Sequence, residues 1–65
     1  MDINNSIEIT TKEIKALLKE MESYLRTLES SNNVQEYVNA LYHIENRAES
    51  VAIKAKSTRE KLQKY

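Results

Sequence analysis

Few residues in this chain could carry chemistry. Its one histidine, His43, is flanked at three and four residues by Asn39, Ala40, Asn46 and Arg47. None of these is a carboxylate, so the Glu-x-x-His ligand pair of di-metal helical bundles is absent. The chain has no cysteine, which removes thiolate nucleophiles, thiolate metal sites and disulfides together. Ser50 is the only serine at helical spacing from His43, a full heptad away. His43 at this stage reads as a solvated surface residue. Two carboxylate pairs invite inspection as acid and base. Glu20 and Glu22 point about 200° apart around a helix, and Glu45 and Glu49 fall toward an exposed edge with no neighbour that would turn either into a general acid. With no glycine anywhere, neither a dinucleotide fingerprint nor a P-loop can be built. The expectation is no catalytic residue, no metal, no cofactor and no enzymatic activity.

What remains is binding chemistry. Residues 1–50 carry nine acids and five bases, whereas residues 51–65 carry five bases against Glu60 alone. Cations in the last turns of a helix complement its dipole, which accounts for part of this basic tail. Lys56, Arg59 and Lys64 are left over and form a candidate contact with a polyanion. Tyr42, beside His43 on an outward position, is a candidate aromatic anchor for a protein partner.

These residues must be positioned by helices. Glycine and proline are both absent from the 65 residues, although average usage would supply about 12% of the two. Glycine is the usual residue for φ > 0 and proline fixes turns, so hairpin turns and bulges are disfavoured throughout. The single break is Ser30-Ser31-Asn32-Asn33. Asn33 followed by Glu36 reads as an N-cap with its capping-box partner, and Asn also suits the left-handed residue that ends many helices. One helix is expected over about 5–30, starting at Asn5 with Glu8 as capping partner, and a second over about 34–62.

Both segments carry a heptad. The first has Ile7, Ile14, Met21 and Leu28 at a and Ile3, Thr10, Leu17 and Tyr24 at d. The second has Val34, Leu41, Ala48, Ala55 and Leu62 at a and Tyr37, Ile44, Val51, Thr58 and Tyr65 at d. A short connection makes the helices antiparallel neighbours. Meeting a with d pairs Ile14 with Val51, Leu17 with Ala48, Met21 with Ile44, Tyr24 with Leu41 and Leu28 with Tyr37. In the g row, Glu13 faces Lys54 and Glu20 faces Arg47, and Lys61 lies in the same row. Ala48, Ala52 and Ala55 read as small core residues that let the helices approach, or else as a shallow groove for a partner's side chain.

The e row is the informative one. It holds Leu18 and Leu25 on the first helix and Val38 and Ala52 on the second, with only Glu45 and Arg59 charged. Two helices cannot cover an a/d/e stripe on each other, so a partner must. The fold expected is all-α, a single antiparallel two-helix hairpin over residues 1–65 that dimerises into a four-helix bundle. In length and in its two heptad helices the chain resembles the helix-hairpin homodimers exemplified by the plasmid copy-control RNA-binding bundle, and the resemblance is one of pattern.

The function expected is that of a small regulator or adaptor working by helix–helix contact, with itself or another helical protein, through Leu18, Leu25, Val38, Ala52 and Tyr42. The alternatives are a homodimeric bundle binding RNA or DNA through Lys56, Arg59 and Lys64, and a subunit of a hetero-oligomeric coiled-coil complex. The longest apolar runs are three residues, far below a membrane span. No basic n-region opens the chain, and the expected location is cytoplasmic.

Overall fold

The computed structural model describes residues 3–64. They form two helices, α1 (Ile3–Ser30) and α2 (Val34–Leu62), packed against each other as a hairpin. Cross-helix contacts run in opposite senses along the two helices, from Thr10–Thr58 through Glu13–Lys54 and Glu20–Arg47 to Tyr24–His43. The helices are therefore antiparallel. The hairpin is 49 Å long and only 15 by 12 Å across its Cα atoms. Tyr65, expected at the last d position, and Asp2 lie outside the described residues.

The turn is made by asparagine and serine side chains in place of glycine. Asn33 is extended, at φ −126° and ψ 123°, and its Oδ1 accepts from the backbone N–H of Gln35 at 2.9 Å and of Glu36 at 3.3 Å. It thereby satisfies two of the free donors that open a helix. The reciprocal half of the expected capping box is replaced, because the Asn33 N–H donates to the Ser31 hydroxyl at 3.4 Å. No described residue has positive φ, so α1 does not end on a left-handed residue. At its end the Ser30 hydroxyl turns back on the last turn, donating to the Arg26 carbonyl at 3.0 Å and to that of Thr27 at 3.4 Å. At the other end α1 begins two residues ahead of the expected start. Asn5 then sits inside the first turn, and Glu8 pairs with Lys12 at 3.2 Å, one turn on.

The seam differs from the expected one on α2. Here α1 presents its d row with parts of its a and g rows, but α2 turns so that its d and g rows face inward. Val34 is 82% exposed and Leu41 44% exposed, although both are a positions. The d-position hydroxyls of Thr10 and Thr58 meet at 2.6 Å, so d faces d where a was expected to face d. Tyr24, expected to meet Leu41, stacks on His43. The physical reason lies in the g row of α2. Ala40 is small enough for close backbone approach and is the one buried residue among those described. One and two heptads on, Arg47 and Lys54 lay their stems along the seam and carry their charges to its edge, where they pair with Glu20 and Glu13. Ala48, Ala52 and Ala55 are exposed and take no part in the seam, which overturns their reading as small core residues.

Asn33→Ala removes the acceptor for two backbone donors and should cost about 1 kcal/mol of hairpin stability, with Asn33→Asp largely neutral. Urea unfolding followed by circular dichroism checks both.

Candidate protein–protein interface

The two long edges of the hairpin are chemically different, and each follows from the heptad positions that flank the seam. Along one edge run Glu13–Lys54 and Glu20–Arg47, the two ion pairs expected of the g rows. The Arg47 Nε lies 3.4 Å from a Glu20 carboxylate oxygen, close enough for charge attraction but without a hydrogen bond to it. Its Nη1 donates to the His43 carbonyl at 3.3 Å and approaches His43 Nδ1 at 3.4 Å.

Tyr24 completes this cluster. Its ring stacks on His43 with centroids 4.7 Å apart, and the Arg47 guanidinium carbon lies 4.9 Å from the Tyr24 ring centre. His43 is therefore half-buried between helices, which corrects its reading as a solvated residue. The inward rotation of α2 brings this c position to the edge of the seam. Tyr42 remains outward, 62% exposed, with its ring edge against His43 at 6.3 Å. Further along the same edge, a polar groove of about 400 Å³ opens between Ser6, Thr10, Ser57 and Lys61, with Ile9 and Ile53 at its sides. Sequence periodicity gave no sign of Ile9 and Ile53 as neighbours, since they occupy c and f.

The opposite edge has no ion pair among the described residues. Leu18, Met21 and Leu25 from α1 and Ile44 from α2 line a shallow groove of about 380 Å³, with Glu22 at its rim. Glu22 had read only as pointing away from Glu20. Met21 and Ile44, expected to meet, do share this surface. Val34, Tyr37 and Val38 line a further depression beside the loop. Between and beyond them the outward a and e positions of α2 continue the stripe through Leu41, Ala48, Ala52 and Ala55, all exposed.

Four of the five expected interface residues, Leu18, Leu25, Val38 and Ala52, thus belong to one apolar face. Tyr42 belongs to the ion-paired side. Leu18, Val38 and Leu25 are 48%, 49% and 51% exposed, well beyond what residues of a packed interior show.

The three expected polyanion contacts are divided. Lys56 and Lys64 border one surface depression with Lys61, and the Glu60 carboxylate sits among them. Arg59 lies on the other side of the helix, toward the apolar face, and donates to the Gln63 side chain at 2.8 Å. Lys61, although in the g row, forms no ion pair among the described residues, because Ser6 stands level with it where Glu13 stands level with Lys54. No group of acidic, histidine or cysteine side chains among the described residues could hold a metal ion. No helix is long and apolar enough to cross a membrane.

Comparison with protein-family models, with curated proteins and with solved structures finds no match to this chain. A functional reading therefore rests on the surface itself.

Leu25→Glu places a charge in the middle of the apolar face while leaving the intrachain seam intact. It should abolish association and much of the helicity, because a buried unpaired charge costs several kcal/mol. Lys19→Gln, on the outer side of α1, should stay within about 0.5 kcal/mol of wild type. Circular dichroism with sedimentation velocity on both variants checks this, and equal tolerance of the two would place the interface elsewhere.

Proposed function

We propose that this chain is a non-enzymatic helix–helix interaction module, a small regulator or adaptor whose apolar face completes a four-helix bundle with a second helical hairpin. One observation carries the reading. The hairpin has a single buried residue among those described, Ala40, while Leu18, Leu25, Val34, Val38 and Leu41 stand exposed on one side.

The rotation of α2 fits the same reading. In a four-helix bundle each helix has two neighbours, so its core rows point between them and its two flanking rows serve one neighbour each. Here the d and g rows of α2 serve α1, and its a and e rows are left for a second neighbour. An exposed apolar strip of this length, rimmed by polar residues, marks an association surface. The charged edge favours pairing within the hairpin, and the apolar residues exposed along it, Ile9 and Ile53, flank a groove that Ser6, Thr10, Glu13, Lys54 and Lys61 also line.

A polyanion-binding role is less well supported by the surface. The bases of the tail are spread around α2, with Glu60 among them and Arg59 turned away.

Replacing Lys56, Arg59 and Lys64 together with glutamine distinguishes the two roles. The interaction reading expects the triple variant to associate like wild type, and wild type to show no salt-sensitive retention on RNA or DNA at physiological ionic strength. Micromolar binding to nucleic acid that falls steeply with salt, and that the triple variant lacks, would overturn it. Mobility-shift titrations over a salt series supply the measurement.

A further inference from the structure

Resting on that reading, we propose that the occupant of the apolar face is a second copy of this chain in antiparallel orientation, the loop end of each hairpin lying over the open end of the other. The charge distribution argues for it. Around the loop, residues 22–45 carry Glu22, Glu29, Glu36 and Glu45 against Arg26. At the open end, residues 1–13 and 54–65 carry Lys12, Lys54, Lys56, Arg59, Lys61 and Lys64 against Asp2, Glu8, Glu13 and Glu60. Folding the chain at residues 31–33 turns a sequence asymmetry into a lengthwise one, acidic at one end of a 49 Å rod and basic at the other.

Two hairpins can stack face to face with their loops at the same end or at opposite ends. The ion pairs Glu13–Lys54 and Glu20–Arg47 fix the intrachain register, and that register sets Glu22 level with Glu45. Both border the apolar face, Glu22 at its groove and Glu45 in the e row. With loops together, Glu22 of each copy would lie over Glu45 of the other, and the two basic ends would also coincide. Like charges held together at an interface oppose association. With loops at opposite ends, Glu45 of each copy is instead brought toward the stretch of the other that carries Lys56 and Arg59.

The area is also appropriate. The broad side of the hairpin is 49 by 15 Å on its Cα atoms, so a second copy laid along it has room for the roughly 800 Å² that each partner contributes to a standard stable interface. In this arrangement the two basic tails lie at opposite ends of the bundle, each beside the other copy's acidic loop, and no single basic surface forms.

The test mixes ¹⁵N-labelled wild type with unlabelled Asn32→Cys protein carrying a nitroxide at the loop, so that all broadening is intermolecular. Broadening confined to amides near residues 3–8 and 58–64 is expected. Broadening around residues 28–36 would show loops together and overturn the proposal. A monomer mass by sedimentation equilibrium in the same samples would also overturn it. A monomer that gains structure only with another helical protein would leave the interaction reading standing, whereas a stable monomer with a cooperative, concentration-independent melt would remove both. Charge reversal tests the orientation without a label. Glu45→Lys should weaken the dimer at least tenfold, and Lys56→Glu added to it should recover most of the loss. Strengthening by Glu45→Lys alone, through relief of a Glu22–Glu45 clash, would overturn the antiparallel arrangement.

Discussion

Two helices lying side by side have no inside. Each can be covered along one stripe only, and the residues beyond that stripe stay in water unless something else arrives. Among the described residues of this chain only Ala40 is buried, and it is buried because its side chain is small enough to let α1 come close. Isolated helices in water gain most of their stability from packing an amphipathic face, and a chain of this size buries too little to stand without further support. Disulfides and thiolate metal sites are excluded by composition. On the reading proposed above, the apolar face ties folding to association.

The polar edge has a different task. Glu13–Lys54 and Glu20–Arg47 are partly exposed ion pairs, a class worth about 0.2–1 kcal/mol each. Their value lies in register and in side. A slip of either helix would break both pairs, and the Tyr24–His43 stack under Arg47 would be lost with them. One edge carries the ion pairs and the aromatic stack, and the opposite edge carries the longer apolar stripe. The Thr10–Thr58 hydroxyl contact places a polar layer near the open end of the seam, where two apolar residues would have strengthened the hairpin on its own.

Much of this was legible in the sequence, and most of the failures share one cause. The absence of glycine and proline, the Ser-Ser-Asn-Asn break and the heptads lead directly to an antiparallel hairpin. The g-row charges lead to its two ion pairs, and the e row to Leu18, Leu25, Val38 and Ala52 on a common face. The rotation of α2 could not be read from the pattern, because a and d are both largely apolar there, Val38 and Ala52 extend the stripe into e, and periodicity alone does not say which two rows a single neighbour takes. That rotation moved His43 inward, moved Val34, Leu41 and Ala48 outward, and separated Tyr42 from the other interface residues. The amphipathic stems in the g row of α2 were the available signal, since Ala40, Arg47 and Lys54 can cover a seam as well as border it. The start of α1 was misplaced by trusting Asn5 as a cap where helix continued to Ile3.

The claim on which the account turns is that the stability of the hairpin resides in a surface a single chain leaves exposed. Thermal melting by circular dichroism across a hundredfold range of protein concentration tests it most directly. If folding is linked to self-association, the midpoint must rise with concentration, and mean helicity at the lowest concentrations must fall. A cooperative melt whose midpoint does not move over that range would show that two helices suffice, and would contradict the account.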